Sequence, residues 1–177
     1  MLLTKSSYVI LGMLSKHPFS GYDLKQKLSK VSAFYWSESN AQIYPVLKKL
    51  EEQNLVSSYL DETSGARNKR IFSITKRGLA ELVAWLEEDE IAEAYREEFL
   101  LKFSLGQHLS KAKLVKKLQQ YQHNNIEKLA QVNEVIEHIK DAHTNRADQR
   151  FLLLTYDNIK TLLEAKIQWC QKVLKGL

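Results

Sequence analysis

The chain has 177 residues, of which 44% are hydrophobic and 27% charged, with six glycines and two prolines. This length suits one medium domain, or a small domain with a helical arm, and the low Gly and Pro content excludes collagenous, disordered and turn-rich all-β chains. A single cysteine, Cys170, excludes a disulfide framework and a Cys-rich zinc site. The longest apolar run, Tyr8 to Leu14, is far shorter than the roughly 20 residues that span a bilayer, and no signal-peptide cleavage site follows it. We therefore predict a cytoplasmic protein that makes no membrane contact.

Basic charge is concentrated in the first half of the chain. Residues 1–80 carry twelve Lys and Arg against six Asp and Glu, a net charge of +6. Residues 81–177 carry fourteen against fifteen, a net charge of −1. A basic segment favours binding to a polyanion such as nucleic acid, although an ordinary solvated surface can carry the same charge.

The first 50 residues predict three helices. The first covers 4–16, and the second covers 21–30 with Ser20 as its N-cap. A third helix follows residue 39, because apolar residues recur there at helical spacing: Ile43, Val46, Leu47 and Leu50. Pro45 conflicts with so early a start, since a proline past the first turn removes a backbone hydrogen bond. The third helix is therefore either irregular at its start or begins a few residues later.

The spacing of apolar residues changes after the third helix. The β-prone runs 56–60 and 70–74 flank a polar, Gly-containing segment, which predicts a hairpin with a long basic tip. Thr75 can then cap a fourth helix that ends at about Glu88.

The rest of the chain predicts only helices. A compact apolar helix covers 92–103, a long helix capped by Ser110 reaches about Ala142, and a last helix follows the polar segment 143–149. Each long helix has eight apolar positions with a mean spacing of 3.57 residues: Leu114, Leu118, Tyr121, Ile126, Leu129, Val132, Ile136 and Ile139 in the first, and Leu152, Tyr156, Ile159, Leu163, Ile167, Cys170, Leu174 and Leu177 in the second. These spacings lie between the values for a straight helix and for a coiled coil.

Two amphipathic helices about 50 Å long cannot both bury their apolar sides against a head of 90 residues. They can pack on each other, and a second copy of the chain can cover what stays exposed. We therefore predict a homodimer formed through the C-terminal helices; a monomeric helical hairpin is the alternative.

Three helices followed by a hairpin is the order of a winged helix-turn-helix, whose third helix enters the major groove of double-stranded DNA. Amide side chains at Asn40 and Gln42 can pair with adenine. Three residues of the third helix suit phosphate contacts: Tyr44, Lys48 and Lys49. The hairpin adds three cations that can follow a DNA backbone or enter a narrow minor groove: Arg67, Lys69 and Arg70.

Each of these features also has a purely structural interpretation. The lysines can belong to a solvated helix face, Gln42 can serve only in helix capping, and the basic hairpin can be a charged edge that blocks strand association. The presence of the lysines, Gln42 and the basic hairpin together favours DNA binding.

Three sequence blocks resemble the PadR family of bacterial transcriptional regulators. They are YVILGML with HPFSGYDL (8–24), AQIYPVLKKLEE (41–52) and RIFSITKRG (70–78). The long helical C-terminal half is similar to the larger-tailed, AphA-like branch. The resemblance implies a homodimeric DNA-binding regulator, often a repressor, with two winged heads joined through C-terminal helices. The resemblance also implies that five residues contact DNA: Gln42, Tyr44, Lys48, Lys49 and Arg70.

The sequence departs from the family pattern at three positions. Ala41 and Asn54 stand where the family often has Gly, and Asn54 should preserve the turn because Asn tolerates the left-handed conformation. Phe72 replaces the usual wing Tyr and so lacks its hydroxyl.

We therefore predict a mainly α protein. Residues 1–88 form an N-terminal winged helix-turn-helix, with three helices plus a β-hairpin wing, and residues 89–177 form a C-terminal antiparallel helical dimerisation domain. The predicted function is a sequence-specific transcriptional regulator, a repressor, that binds a pseudo-palindromic operator. The alternative is a winged-helix module that binds a protein partner.

Catalysis, cofactors and metals are not predicted. The five histidines include no pair four residues apart, and the sequence has no HExxH, phosphate loop or nucleophile elbow. The family resemblance suggests that a small aromatic effector could bind near the dimer interface. Five aromatic residues could line such a pocket, although core packing is the favoured interpretation and no effector site is assigned: Trp36, Trp85, Tyr95, Tyr156 and Trp169.

Overall fold

The computed structural model describes residues 3–31, 43–61, 69–89, 96–141 and 147–177. The chain divides into two compact units, Met1–Ile91 and Ala92–Leu177, called here the head and the arm. Within the described ranges, no helix is both long enough and apolar enough to cross a membrane.

The head contains the predicted order of helices and strands, with one addition. Its elements are α1 (Lys5–Leu14), β1 (Phe19–Ser20), α2 (Gly21–Val31), α3 (Ile43–Glu52), β2 (Val56–Asp61), β3 (Lys69–Ile74) and α4 (Lys76–Leu86). The added element, β1, pairs with β3, so that the hairpin becomes a three-stranded antiparallel sheet with β3 at its centre. The sequence does not predict β1, because a two-residue strand has no period of its own.

Side chains cap three helices of the head. Thr4 lies just before α1 and accepts from the Ser7 N–H. Because α1 begins at Lys5 and ends at Leu14, it is shorter at both ends than the predicted helix 4–16. Ser20 Oγ accepts from the Asp23 N–H at 3.1 Å and donates to its carboxylate at 2.7 Å, as a capping pair does. Thr75 Oγ1 accepts from the Gly78 N–H at 3.0 Å. The predicted caps Ser20 and Thr75 are confirmed.

Near its start, α3 (Ile43–Glu52) includes Pro45 as the third of its described residues. The residues before Ile43 lie outside the described part of the chain, so a start after residue 39 stays a prediction. At the other end, Asn54 has a φ of 57°, as expected for a residue that replaces Gly in a left-handed turn. Leu55 N–H bonds to the Leu50 carbonyl at 2.9 Å, which closes a Schellman turn that directs the chain into β2.

The arm is helical, with α5 at Glu98–Ser104, a 3₁₀ turn at Gly106–His108, α6 at Lys111–Asp141 and α7 at Ala147–Gly176. The predicted helix over 92–103 is wrong at Arg96 and Glu97, which precede α5, and Glu97 has extended dihedral angles (φ −128°, ψ 105°). The extended backbone is accompanied by contacts of the Glu97 carboxylate with Tyr121 of α6 and Lys166 of α7. Long-range contacts of this kind are not encoded in local helical periodicity.

Helices α6 and α7 pack antiparallel along a seam of heptad-spaced residues. The buried positions are Leu118, Asn125, Val132 and Ile139 on α6, and Tyr156, Leu163 and Cys170 on α7. The Gln149 amide donates to the Ile139 carbonyl at 2.7 Å, which joins the end of α6 to the start of α7. The predicted antiparallel helical pair is confirmed, and Cys170, one of the predicted apolar positions of the last helix, is buried.

The prediction that Ile126 belongs to the buried apolar side of α6 is wrong. Ile126 is 47% exposed, and the neighbouring Asn125 is buried in the seam. A seven-residue period places position 125 in line with 118 and 132, whatever its polarity. Asn125 meets part of the cost of burial by donating its amide to the Tyr121 carbonyl at 2.7 Å.

Candidate nucleic-acid interface

Helix α3 has one buried face and one solvent-facing side. Its apolar residues sit in the core of the head with 8% exposure or less: Ile43, Val46, Leu47 and Leu50. Tyr44 is 57% exposed, and Lys48 and Lys49 are also exposed. The apolar residues therefore seat α3 on the rest of the head and leave a free face that carries three of the predicted DNA-contact residues.

The free face of α3 forms one wall of a groove of about 550 Å³. Strand β3 and the N-terminus of α2 line the rest of the groove. The lining residues are Tyr44, Lys48 and Glu51 from α3, Lys69, Arg70 and Phe72 from β3, and Ser20, Gly21 and Tyr22 at the start of α2. The structure thus brings four predicted DNA-contact residues to one groove: Tyr44, Lys48, Lys69 and Arg70.

Lys49 lies on the other side of the same helix. A second groove, of about 380 Å³, runs between α3 and the start of α1, and both Lys48 and Lys49 line it together with Thr4 and Ser6. Three further predicted contact residues lie outside the described part of the chain: Asn40, Gln42 and Arg67. The same holds for Ala41, one of the departures from the family pattern.

Arg70 is part of a polar network that joins β3 to α3. Its Nη2 donates to a Glu51 carboxylate oxygen at 2.8 Å, and its Nε donates to Ser58 Oγ at 2.7 Å. Ser58 in turn donates to the other Glu51 oxygen. The sequence does not predict the roles of Glu51 and Ser58, because Glu51 and Arg70 are 19 residues apart and no local pattern pairs them.

The network determines how much positive charge the groove presents. Glu51 offsets the charge of Arg70, whose side chain is 57% exposed. Among the described residues, Lys48 pairs with the exposed Glu52 at 3.9 Å, and a surface pair of this kind contributes little, so the Lys48 ammonium can turn to a phosphate. Phe72 lies 5% exposed beneath the Arg70 guanidinium, with 5.5 Å between the guanidinium carbon and the ring centre. The ring that replaces the family's Tyr is thus a packing residue at the groove wall.

The aromatic residues named for an effector pocket are packing residues wherever the structure describes them. Trp85 stacks on Tyr8 at 4.5 Å between ring centres, Trp169 meets Phe103 edge-on at 5.5 Å, and Tyr156 is fully buried. Trp36 and Tyr95 lie outside the described residues. The favoured interpretation, core packing, is confirmed for Trp85, Tyr156 and Trp169.

The Glu97 carboxylate lies at the centre of a partly buried polar cluster in the arm. The Tyr121 hydroxyl donates to Glu97, and Lys166 Nζ lies 3.0 Å from the same carboxylate. Burial, with the hydrogen bond to Glu97, raises the pKa of Tyr121 to about 12. This cluster joins the segment before α5 to both long helices. Among the residues the structure covers, no group of three or more His, Cys, Asp or Glu side chains could hold a metal ion.

Two family descriptions match the chain in tandem. "Transcriptional regulator PadR-like family" matches residues 10–84, and "Virulence activator alpha C-term" matches residues 95–177. Among curated proteins, the negative transcriptional regulator PadR of Bacillus subtilis is 34% identical over 96 residues, covering 54% of this chain and 53% of the relative. The chain spans about half the length of the curated relatives it matches.

Solved structures match over nearly the whole chain. Bacillus subtilis PadR in complex with operator DNA has a TM-score of 0.88 at 23% identity and covers 100% of both chains. The same protein in complex with p-coumaric acid has a TM-score of 0.80 at 24% identity, with 96% of each chain covered. The Vibrio cholerae virulence activator AphA has a TM-score of 0.74 at 26% identity, also with 96% of each chain covered. These structures share the fold described above.

Proposed function

Because this chain belongs to the PadR-like family of transcriptional regulators, we propose that it binds double-stranded DNA sequence-specifically, as a homodimer, and represses the genes beside its operator. Residues 1–88 are the DNA-binding domain of this proposal and residues 89–177 the dimerisation domain. Membership of a family of transcriptional regulators agrees with the prediction that the chain is not an enzyme. Action on chromosomal DNA would take place in the cytoplasm.

The groove beside α3 is the observation that carries the proposal. Tyr44 and Lys48 of α3 line it together with Lys69 and Arg70 of β3, and the opposite face of α3 is fixed in the core. A rigid helix with a free polar face fits the major groove, and cations beside it position the duplex through its phosphates. The net charge of +6 on residues 1–80 supports the same assignment. A protein partner, the alternative, would not require cations on both sides of the helix.

Exposed apolar residues of the arm support the homodimer. Several large apolar residues of the arm are more than half exposed, two at α5 and three on α7: Leu101, Leu105, Phe151, Leu154 and Leu162. Apolar surface on this scale is stabilised by a partner, and a second copy of the arm supplies an identical surface. Two heads joined this way would read half-sites about 34 Å apart on a pseudo-palindromic operator. A chain cut after Glu88 is then expected to sediment as a monomer and to lose most of its affinity; a dimeric, fully active fragment would refute the role of the arm.

The sign of regulation and the effector are proposed from named relatives. The Bacillus subtilis relative is a negative regulator, which supports repression. Its complex with p-coumaric acid supports a small aromatic effector for this chain as well. Saturable quenching of tryptophan fluorescence by p-coumaric acid, together with release of bound DNA, would support this part of the proposal. Unchanged fluorescence and unchanged DNA binding would refute it for that ligand.

The main test is binding to a labelled duplex from the upstream region of its own gene, measured by fluorescence anisotropy over a range of salt concentrations with scrambled competitor. We expect binding that resists the competitor and weakens steeply with salt, because several phosphates are neutralised. The double variant Lys48→Glu/Lys49→Glu should abolish this binding. Lys76→Glu/Arg77→Glu is the matched control, since it makes the same charge change at exposed residues of α4 that line neither groove.

Two results would contradict the proposal. Equal loss of binding in both double variants would mean that only net charge matters. Unchanged binding in Lys48→Glu/Lys49→Glu would remove α3 from the interface. If the wild-type protein binds no duplex but captures a protein through the same face, the alternative function would replace this one.

A further inference from the structure

The ring of Tyr44 rests directly on the backbone of Gly21, at the first residue of α2. A Cβ atom built on Gly21 would lie 2.6 Å from Tyr44 Cε1, 3.1 Å from Cζ and 3.3 Å from Cδ1. Carbon atoms in contact normally lie about 3.5 to 4.0 Å apart, so no side chain fits between them. Gly21 is itself buried, and the ring covers it.

This contact is unusual because Tyr44 is not a core residue. Tyr44 is 57% exposed, on the solvent-facing side of α3 that also carries Lys48. Among the described residues, the structure gives the Tyr44 hydroxyl no hydrogen-bond partner. A glycine that only allowed two helices to pack would lie beneath a buried side chain, whereas Gly21 supports an exposed ring that lines the groove.

Gly21 and Tyr44 line the groove together with Lys48, Lys69 and Arg70. The phenol therefore sits among cations that suit phosphate oxygens. A phenol O–H donates well to a phosphate, and it does so best when its ring is already held in one orientation.

We propose that Gly21 is a positioning residue for DNA binding: by lacking a Cβ it holds the Tyr44 ring against α2 and so aims the hydroxyl at a backbone phosphate of the operator. This inference rests on the proposed function. It links two sequence blocks, HPFSGYDL and AQIYPVLKKLEE, through one contact between residues 23 positions apart. It also predicts that an alanine at position 21 displaces the ring and leaves the fold intact, because the atoms in its way belong to the outer part of a flexible side chain.

The test is a double-mutant cycle on the full-length protein, with a duplex that the wild-type protein selects from a random-sequence pool. Gly21→Ala should weaken binding about tenfold, the size expected for one lost hydrogen bond to a charged group. In a Tyr44→Ala background, Gly21→Ala should change affinity by less than about twofold, since the ring it displaces is gone. The slope of affinity against salt should not change, because a neutral phenol neutralises no phosphate.

Gly12→Ala is the matched control. Gly12 lies within α1 and does not line the groove, and a Cβ built on it would meet no atom within 4 Å. Both alanine variants should retain or raise the thermal unfolding temperature, because alanine favours helices over glycine. Loss of binding in Gly21→Ala alone, at unchanged stability, supports the inference.

The outcomes separate this inference from the function on which it rests. A wild-type protein that selects no duplex overturns the proposed function, and the inference with it. Wild-type binding that Gly21→Ala retains at full strength overturns the inference alone. Equal losses from Gly21→Ala in the wild-type and Tyr44→Ala backgrounds would also overturn it, because the loss would then not pass through the ring.

Discussion

Replacing Gly78 with alanine should destabilise the head severely, because the new Cβ would strike backbone. That atom would lie 2.0 Å from the Leu55 carbonyl oxygen and 2.9 Å from the carbonyl carbon. The same carbonyl accepts from the Thr75 N–H at 3.0 Å, and the Gly78 N–H donates to Thr75 Oγ1 at 3.0 Å. A large relative shift of these two backbone segments is needed to relieve the clash, and it would disturb the end of β3 and the cap of α4 together.

The magnitude follows from the interactions that the shift disturbs. Overpacking costs about 1 to 3 kcal/mol, and the lost cap and backbone hydrogen bond cost about 1 kcal/mol each. The higher helix propensity of alanine, relative to glycine, offsets about 1 kcal/mol of this cost. We therefore expect a net loss of about 3 kcal/mol in the free energy of unfolding of the head.

Hydrogen exchange in the full-length protein measures this loss, because amides of α1 and α3 report the head separately from the arm. Gly78→Ala should lower their protection by about two orders of magnitude, while the amides of α6 stay protected. Gly12→Ala is again the control and should leave protection equal or higher, since its Cβ meets no atom within 4 Å. Unchanged protection in Gly78→Ala would refute the argument from the Leu55 carbonyl.

Three other substitutions test separate features. Asn54→Ala should cost about 1 kcal/mol in urea unfolding because a residue with a φ of 57° loses its tolerant side chain, whereas Asn54→Gly should cost nothing; equal effects would refute this. Glu51→Gln removes the charge that offsets Arg70, so affinity for random-sequence duplex should rise and its salt slope should steepen by about one; weaker binding would contradict this. The folded-state pKa of Tyr121 is raised from 10.0 to about 12, so its neutral phenol stabilises the arm fully below pH 10 and progressively less as pH rises to 12. Denaturant midpoints at pH 9 and 11 should therefore fall further in the wild type than in Tyr121→Phe, and parallel changes would refute the assignment.

Local patterns are sufficient to predict most of the helices. The four apolar residues of α3 recur at helical spacing, so their burial and the exposure of Lys48 follow from the period alone. Ser20 and Thr75 cap helices because their side chains reach amides only three residues away. The antiparallel pair in the arm follows from two long periodic segments joined by a short polar one.

Errors arise where a distant contact competes with a local pattern. The local pattern predicts Glu97 within a helix, but its backbone is extended and its carboxylate binds Tyr121 and Lys166, which are 24 and 69 residues away. The apolar side chain of Ile126 predicts burial, yet the heptad register of the seam buries Asn125. Strand β1 escapes prediction because only its partner β3 defines it.

The candidate interface divides in the same way. Its residue types, its basic charge and its place on the free face of α3 follow from composition and from periods of a few residues, because those effects act along one helix. The pairing of Arg70 with Glu51 and the contact of Tyr44 with Gly21 join residues about 20 positions apart. Such contacts exist only after α2, α3 and β3 have packed around a common core. Hydrophobic burial in that core brings their backbones within reach of one another, and local conformational preference does not.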